Sequence, residues 1–291
     1  EAPGDLPRQS LVKAVPFCPH EDYYCGPAAL AMTLAWSGLS ETPDKLESQV
    51  YTPGREGTLA PDIIAAARRK GRLAVEVRDL RTLLTELAAG NPVLVFQNLA
   101  LDWWPQWHFA VAIGYDLDRQ VLILHSGTTE RLITPLDAFE RTWARSGNWA
   151  LLTLPPERLP ESDQVGPVLI AAAGLEQARQ YEAAAKAYEA ALDRWPKEPA
   201  AWMGQGNTYY AQGRFPAAEE SFRAALALAP QQAAAWNNLA YALSRQGRRA
   251  EAIEAAARAV ALSGEEAAVY RDTLDELPAL QRKQASTPLP Q

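Results

Sequence analysis

The sequence predicts a chain in two parts, an α+β domain followed by an all-α array of helical hairpins. Three observations carry this reading. Helix-like segments give way to short β-rich runs in the first half, a proline-rich stretch interrupts the pattern near residue 155, and the alanine-rich second half repeats at an interval of 34 residues. A length of 291 residues suits two domains. The formal charge of −7, from 28 basic and 35 acidic residues without a Lys/Arg block, lacks the footprint of a nucleic-acid binder, so no nucleic-acid partner is expected. No run approaches the ~18 consecutive apolar residues that cross a bilayer, so no transmembrane segment is expected in this chain. Neither a cofactor nor a metal site is expected, and no Walker-type Gly-rich Lys motif occurs.

Residues 1–13 are expected as an N-terminal extension and 14–154 as the first domain. Gly26–Trp36, with Pro27 in its first turn, reads as a helix, as do Ala60–Lys70 and Leu80–Ala89. Val93–Phe96, His108–Tyr115, Val121–His125 and Trp149–Leu154 read as strands, with Asp116–Gln120 as a hairpin turn. Three prolines within Leu154–Gln164 mark a linker at 155–166.

Beyond it, a shift of 34 residues superposes Pro196 on Pro230, Trp202 on Trp236, Gly213 on Gly247, Ala218 on Ala252 and Ala225 on Ala259. With Gly206, Tyr209 and Phe222, this spacing resembles the tetratricopeptide (TPR) repeat. Large Trp202 and Tyr209 are expected to fill the groove of a helical hairpin, small Ala218 and Ala225 to permit close approach, and proline to stop the second helix. Three repeats are expected at 167–264, the first degenerate, then a capping helix at 265–282 and a disordered tail at 283–291. TPR geometry implies a concave groove lined by Asn207, Tyr210, Asn237, Tyr241 and Arg245, open to a protein or peptide partner. Met203 stands where a carboxylate-clamping lysine would, so no such clamp is expected.

Thiol and imidazole chemistry can only lie in the first half, which holds Cys18, Cys25, His20, His108 and His125. Cys25 directly precedes the Gly26–Pro27 helix start, where unpaired N–H groups and the helix dipole favour a thiolate nucleophile. Of the three histidines, His108 is the expected base. It opens a strand with a row of small residues (His108, Ala110, Ala112, Gly114), against which the Cys25 helix is expected to pack closely. The competing reading is a structural disulfide between Cys18 and Cys25.

Pro19-His-Glu-Asp-Tyr-Tyr-Cys-Gly-Pro-Ala-Ala-Leu30, followed about 80 residues later by Trp107-His-Phe-Ala-Val-Ala-Ile-Gly-Tyr115, resembles the bacteriocin-processing, double-glycine-cleaving cysteine peptidase family. The resemblance spans residues 14–154 and implies a papain-like fold, with Cys25 as nucleophile and His108 as base. Two positions depart from the family pattern. His20 stands where glutamine usually donates to the oxyanion, and is an oxyanion candidate in its place. Leu124-His-Ser-Gly127 stands where an aspartate usually orients the histidine, leaving His125 and Ser126 as alternative orienting residues. Asp116 and Asp118 lie too far along the strand. Trp103, Trp104 and Trp107 are either packing residues or a wall of the cleft. The expectation is a bacterial cysteine peptidase with a partner-binding TPR module. A catalytically inactive scaffold and a thiol acyltransferase are the rivals. The family's bacterial setting and the absence of a starting methionine lead to the expectation of a periplasmic or lipid-anchored envelope protein.

Overall fold

The computed structural model describes residues 6–21, 24–52, 57–264 and 267–273. The chain divides into two compact units, Glu1–Ala183 and Ala184–Gln291. In chain order the elements are β1 (Gln9–Leu11), α1 (Cys25–Trp36), α2 (Pro43–Val50), β2 (Tyr51–Thr52), β3 (Gly57–Thr58), α3 (Ala60–Arg69), β4 (Leu73–Val77), α4 (Leu80–Ala88), β5 (Val93–Asn98), β6 (Trp107–Asp116), β7 (Val121–Ser126), β8 (Thr129–Pro135), α5 (Leu136–Ala144), β9 (Ala150–Leu154) and α6 (Val165–Gln177). They are followed by α7 (Tyr181–Arg194), α8 (Pro199–Ala211), α9 (Phe215–Leu228), α10 (Ala233–Arg245) and α11 (Arg249–Leu262). The architecture is an α+β domain with an antiparallel sheet, then a helical array, as the sequence predicts.

The sheet of the first unit runs β4-β9-β5-β6-β7-β8, every neighbouring pair antiparallel. Residues 9–11 are part of this sheet rather than an extension outside the domain: β1 pairs with the far end of β6, Leu11 opposite Gly114. A Cβ on Gly114 would lie 2.4 Å from the Ser10 carbonyl oxygen, so the close approach of β1 requires glycine there.

α1 is apolar on every side, and Cys25 through Leu34 are all buried. Its core is shared with Phe109, Val111 and Ile113 of β6. This corrects the expectation that the helix packs on the small-residue row. Alternation along the strand is legible from sequence, but the large side chains supply the contact area that a wholly buried helix needs.

The proline-rich segment after β9 is strapped to the first unit rather than left as a free tether. Glu86 of α4, fully buried, accepts from the backbone N–H of Glu161 (2.8 Å) and Ser162 (3.3 Å) and from Asn91 Nδ2 (2.7 Å). Arg158 lies over the Trp36 ring, and α6 packs on β4 within the same unit. Burial raises the Glu86 carboxyl above its usual range, opposed by the donors from Asn91, Ser162 and Glu161. Protonation therefore favours the folded chain. This stabilisation is complete below the ordinary glutamate range and is lost as pH rises through the raised titration of Glu86. Melting temperatures between about pH 4 and pH 7 should show a decline that Glu86→Gln flattens; an unchanged slope in the variant would refute the assignment.

In the second unit, Gly213 and Gly247 both have φ +77° and end equivalent helices, a left-handed turn that explains glycine recurring at 34 residues. Trp202 and Trp236 donate to the carbonyls of Pro196 (3.0 Å) and Pro230 (2.9 Å), so each half-buried tryptophan ties its helix to the preceding turn. Tyr209, Ala218, Phe222, Ala225, Leu239, Ala252 and Ala256 form the core. Of the expected capping helix, residues 267–273 are helical; the rest of it and the tail at 283–291 lie outside the described residues.

Candidate active site

Cys25 is the first residue of α1 and is 7% exposed. Just ahead of it, the Tyr24 hydroxyl donates to Asp44 (2.7 Å) and Glu47 (3.1 Å) of α2, carboxylates that push its own titration upward. Just behind it, Gly26 faces β3, where a Cβ would come within 2.4 Å of the Thr58 hydroxyl. The cysteine is therefore gripped on both sides. Neither cysteine forms a disulfide; Cys18 is half-buried, and desolvation raises its thiol pKa.

The segment leading into α1 is brought to His108. The His20 N–H donates to the Gly127 carbonyl (3.2 Å), and the His20 ring stacks on that of His108 at 6.2 Å between centroids. His108, 7% exposed near the start of β6, has Nε2 at 2.8 Å from Ser126 Oγ. Of the two residues left open by the sequence, Ser126 is the one bonded to His108. His125 lies instead beside Phe17 (5.2 Å), with Nε2 donating to the Val15 carbonyl and Nδ1 accepting from Arg131 N–H, both at 3.3 Å. Its burial lowers its pKa, in keeping with a neutral ring.

His20 has a defined tautomer. Its Nδ1 lies 2.9 Å from the Cys18 carbonyl, an acceptor only, so Nδ1 carries the proton. In the neutral ring Nε2 is then a bare acceptor, and it is buried without a hydrogen-bond partner among the described residues. Gln97, directly across from His108 on β5, is a buried neighbour that sequence reading missed; it donates to Thr142 of α5 at 2.6 Å. Its only sequence signal is a polar residue ending an apolar strand. The three tryptophans before His108 are surface residues: Trp103 is 78% exposed, Trp104 73% and Trp107 49%.

In the second unit, Asn207, Tyr210, Phe222, Asn238 and Tyr241 line a pocket of about 160 Å³. Asn238 Nδ2 donates to Asn207 Oδ1 at 2.8 Å across adjacent repeats. Of the other expected lining residues, Asn237 donates from Nδ2 to its neighbour Asn238 Oδ1 at 3.4 Å, and Arg245 stacks on the Phe215 ring at 4.4 Å; neither lines this pocket. Among the described residues no group of acidic, histidine and cysteine side chains is arranged to hold a metal, and no helix is long and apolar enough to cross a membrane.

Residues 12–151 match the Peptidase_C39 like family, and residues 172–233 and 204–268 match the tetratricopeptide repeat. No curated protein matches the chain. Among solved structures, a C39-like protein from Bacillus anthracis is 20% identical and covers 50% of this chain and 97% of its own, with a TM-score of 0.44. The peptidase domain of Streptococcus ComA, a bifunctional ABC transporter, is 21% identical over 48% of this chain and 99% of its own, with a TM-score of 0.40. SycD, a type III secretion translocator chaperone from Yersinia enterocolitica, is 21% identical over 43% of this chain and 88% of its own, with a TM-score of 0.39. The chain thus joins a C39-like peptidase domain to tetratricopeptide repeats, a peptidase-like fold carrying a protein-binding module.

Proposed function

We propose that the chain is a bacterial cysteine peptidase whose repeats hold a protein or peptide partner. The observation that supports this reading is that the segment leading into Cys25 reaches His108: Cys25 opens α1, His20 five residues earlier stacks on His108, and His108 is bonded to Ser126. The thiolate is favoured by the N–H groups of the first helical turn. Its sulfur attacks the peptide carbonyl carbon, and the electron pair of the C=O bond moves to oxygen. As the tetrahedral intermediate collapses, the C–N bond breaks and the His108 imidazolium gives its proton to the leaving amine. His108 then takes a proton from water, which cleaves the thioester and frees Cys25. Ser126 fixes the orientation of the His108 ring through Nε2.

The oxyanion meets backbone N–H groups at the head of α1. His20 joins them only as an imidazolium, because its neutral tautomer presents a lone pair from Nε2. His20→Gln, which supplies an amide donor in every protonation state, is accordingly expected to raise kcat by about tenfold, and His20→Ala to leave it lower than the glutamine variant. Equal rates for the two variants would remove His20 from the oxyanion site.

Iodoacetamide labelling followed by peptide mapping tests the central reading. Cys25 is expected to react faster than Cys18 at neutral pH, since desolvation holds Cys18 as a thiol. Equal, sluggish modification of both would favour the inactive scaffold. Product analysis with an added amine separates hydrolysis from acyl transfer.

A further inference from the structure

We propose that the Leu99–Trp107 loop, between β5 and β6, is the docking surface for the substrate's apolar side chains next to the scissile bond. This rests on the reading of Cys25 and His108 given above. The loop exposes Leu99 (44%), Leu101 (51%), Trp103, Trp104 and Trp107, five large apolar side chains within nine residues. Isolated exposed apolar residues are ordinary, but five within nine residues, two of them joined by a backbone bridge, point to a binding surface.

The loop is built to hold that shape. Asn98, 1% exposed, accepts from the N–H of Ala100 (3.1 Å) and Gln106 (3.0 Å) through Oδ1 and donates to the Leu101 carbonyl through Nδ2 (3.4 Å). Arg145, which caps the C-terminus of α5, donates to the carbonyls of Asn98 (3.1 Å) and Ala100 (2.7 Å). Leu99 N–H bonds the Gln106 carbonyl and Trp104 N–H bonds that of Leu101, closing a bridge between Leu101 and Trp104. Backbone polar groups are thus satisfied from beneath while tryptophans are presented outward. A pre-organised loop of this kind loses little entropy on binding.

Two features select a polypeptide as the occupant. The patch leads into the strand that carries the proposed base: Trp107 is the first residue of β6 and His108 the second, and the Trp107 ring stacks on Phe96 at 5.2 Å. The one charged side chain of the loop is Asp102, exposed at its centre, and the chain carries −7 overall, so an anionic leaflet is repelled. An extended peptide with leucine or aromatic residues beside the cleaved bond, and without acidic residues there, fits both features.

The test uses the full chain and two peptidyl acyloxymethyl ketones that alkylate Cys25, one with Leu-Leu and one with Ser-Ser next to the electrophile. The leucine probe is expected to react at least about tenfold faster, and the ratio to fall towards one in Trp103→Ser/Trp104→Ser. A ratio that survives in this variant overturns the proposal. Iodoacetamide labelling that ignores His108→Ala would instead bring down the catalytic reading. Docking is then judged in a Cys25→Ala background by the anisotropy of a fluorescein-labelled leucine-rich peptide. A loss of about tenfold in affinity in the double tryptophan variant supports the surface, and unchanged affinity overturns it. Sedimentation with phosphatidylcholine vesicles that disappears in the same variant also overturns it, by giving the loop to a bilayer.

Discussion

Replacing His108 by alanine is expected to lower Cys25-dependent peptide hydrolysis by about 10²- to 10⁴-fold, the usual worth of a positioned general acid and base. The loss should fall mainly on kcat, because the role proposed for the imidazole is on the leaving amine and the attacking water rather than on substrate docking. Ser126 is a weaker lever. Its hydroxyl meets His108 Nε2 at 2.8 Å, but a neutral hydrogen bond contributes only about 1 kcal/mol, so Ser126→Ala should cost about fivefold to tenfold. Ser126→Asp makes the informative contrast. A carboxylate at that distance forms a charge-assisted bond about twice as strong and favours the imidazolium over the neutral ring. The thiolate–imidazolium pair then survives to higher pH, and the basic limb of the kcat/KM profile moves upward. A His108→Ala variant that folds and retains more than about a tenth of the activity would end the case for His108 as the base. A Ser126→Asp profile superimposable on the native one would remove Ser126 from the orienting role.

What could be read from the sequence was whatever is encoded locally. Gly26–Trp36 carries its own helix start and no polar face, and it folds as α1 with a difference of one residue at its head. Gly213 and Gly247 announce the same left-handed turn in successive repeats. Elements whose stability is borrowed from distant partners were not legible. β1 is three residues long and is held by the far end of β6, while β8 is mostly exposed at the sheet edge, where apolar alternation has no core to face. The hydrogen-bond partner of His108 could not be chosen because strand parity depends on register. β6 and β7 shift register between Ala112 and Gly114, and β7 shifts again towards β8 between Leu124 and Ser126. One residue of slip exchanges Ser126 for His125. The same ambiguity on a helix exchanged Asn237 for Asn238, a step of about 100° around α10. The face of β6 that meets α1 was beyond reach for a different reason: alternation defines two faces, but only the packed core decides which one a helix covers.

Phe222→Ala is expected to destabilise the helical array by about 3–5 kcal/mol, the range for a fully buried aromatic. Phe222 is 1% exposed, and its ring fills the hollow over Gly206, where a Cβ would come within 2.5 Å. The glycine on α8 and the phenylalanine on α9 are therefore one feature, a knob and the hole cut for it. Gly206→Ala should reproduce part of the effect from the other side, about 1–3 kcal/mol, as the ring is forced from its rotamer. The ring also lines the pocket with Asn207, Tyr210, Asn238 and Tyr241, so its removal should weaken peptide binding at the repeats beyond what the loss of stability explains. Native-state amide exchange separates these effects by location. In a repeat array each hairpin is stabilised by its neighbours, so protection should fall across α8 to α11 together while the sheet from β4 to β9 keeps its own. A loss below about 1 kcal/mol, or one spread evenly over both units, would mean that the hollow at Gly206 is incidental to how these hairpins pack.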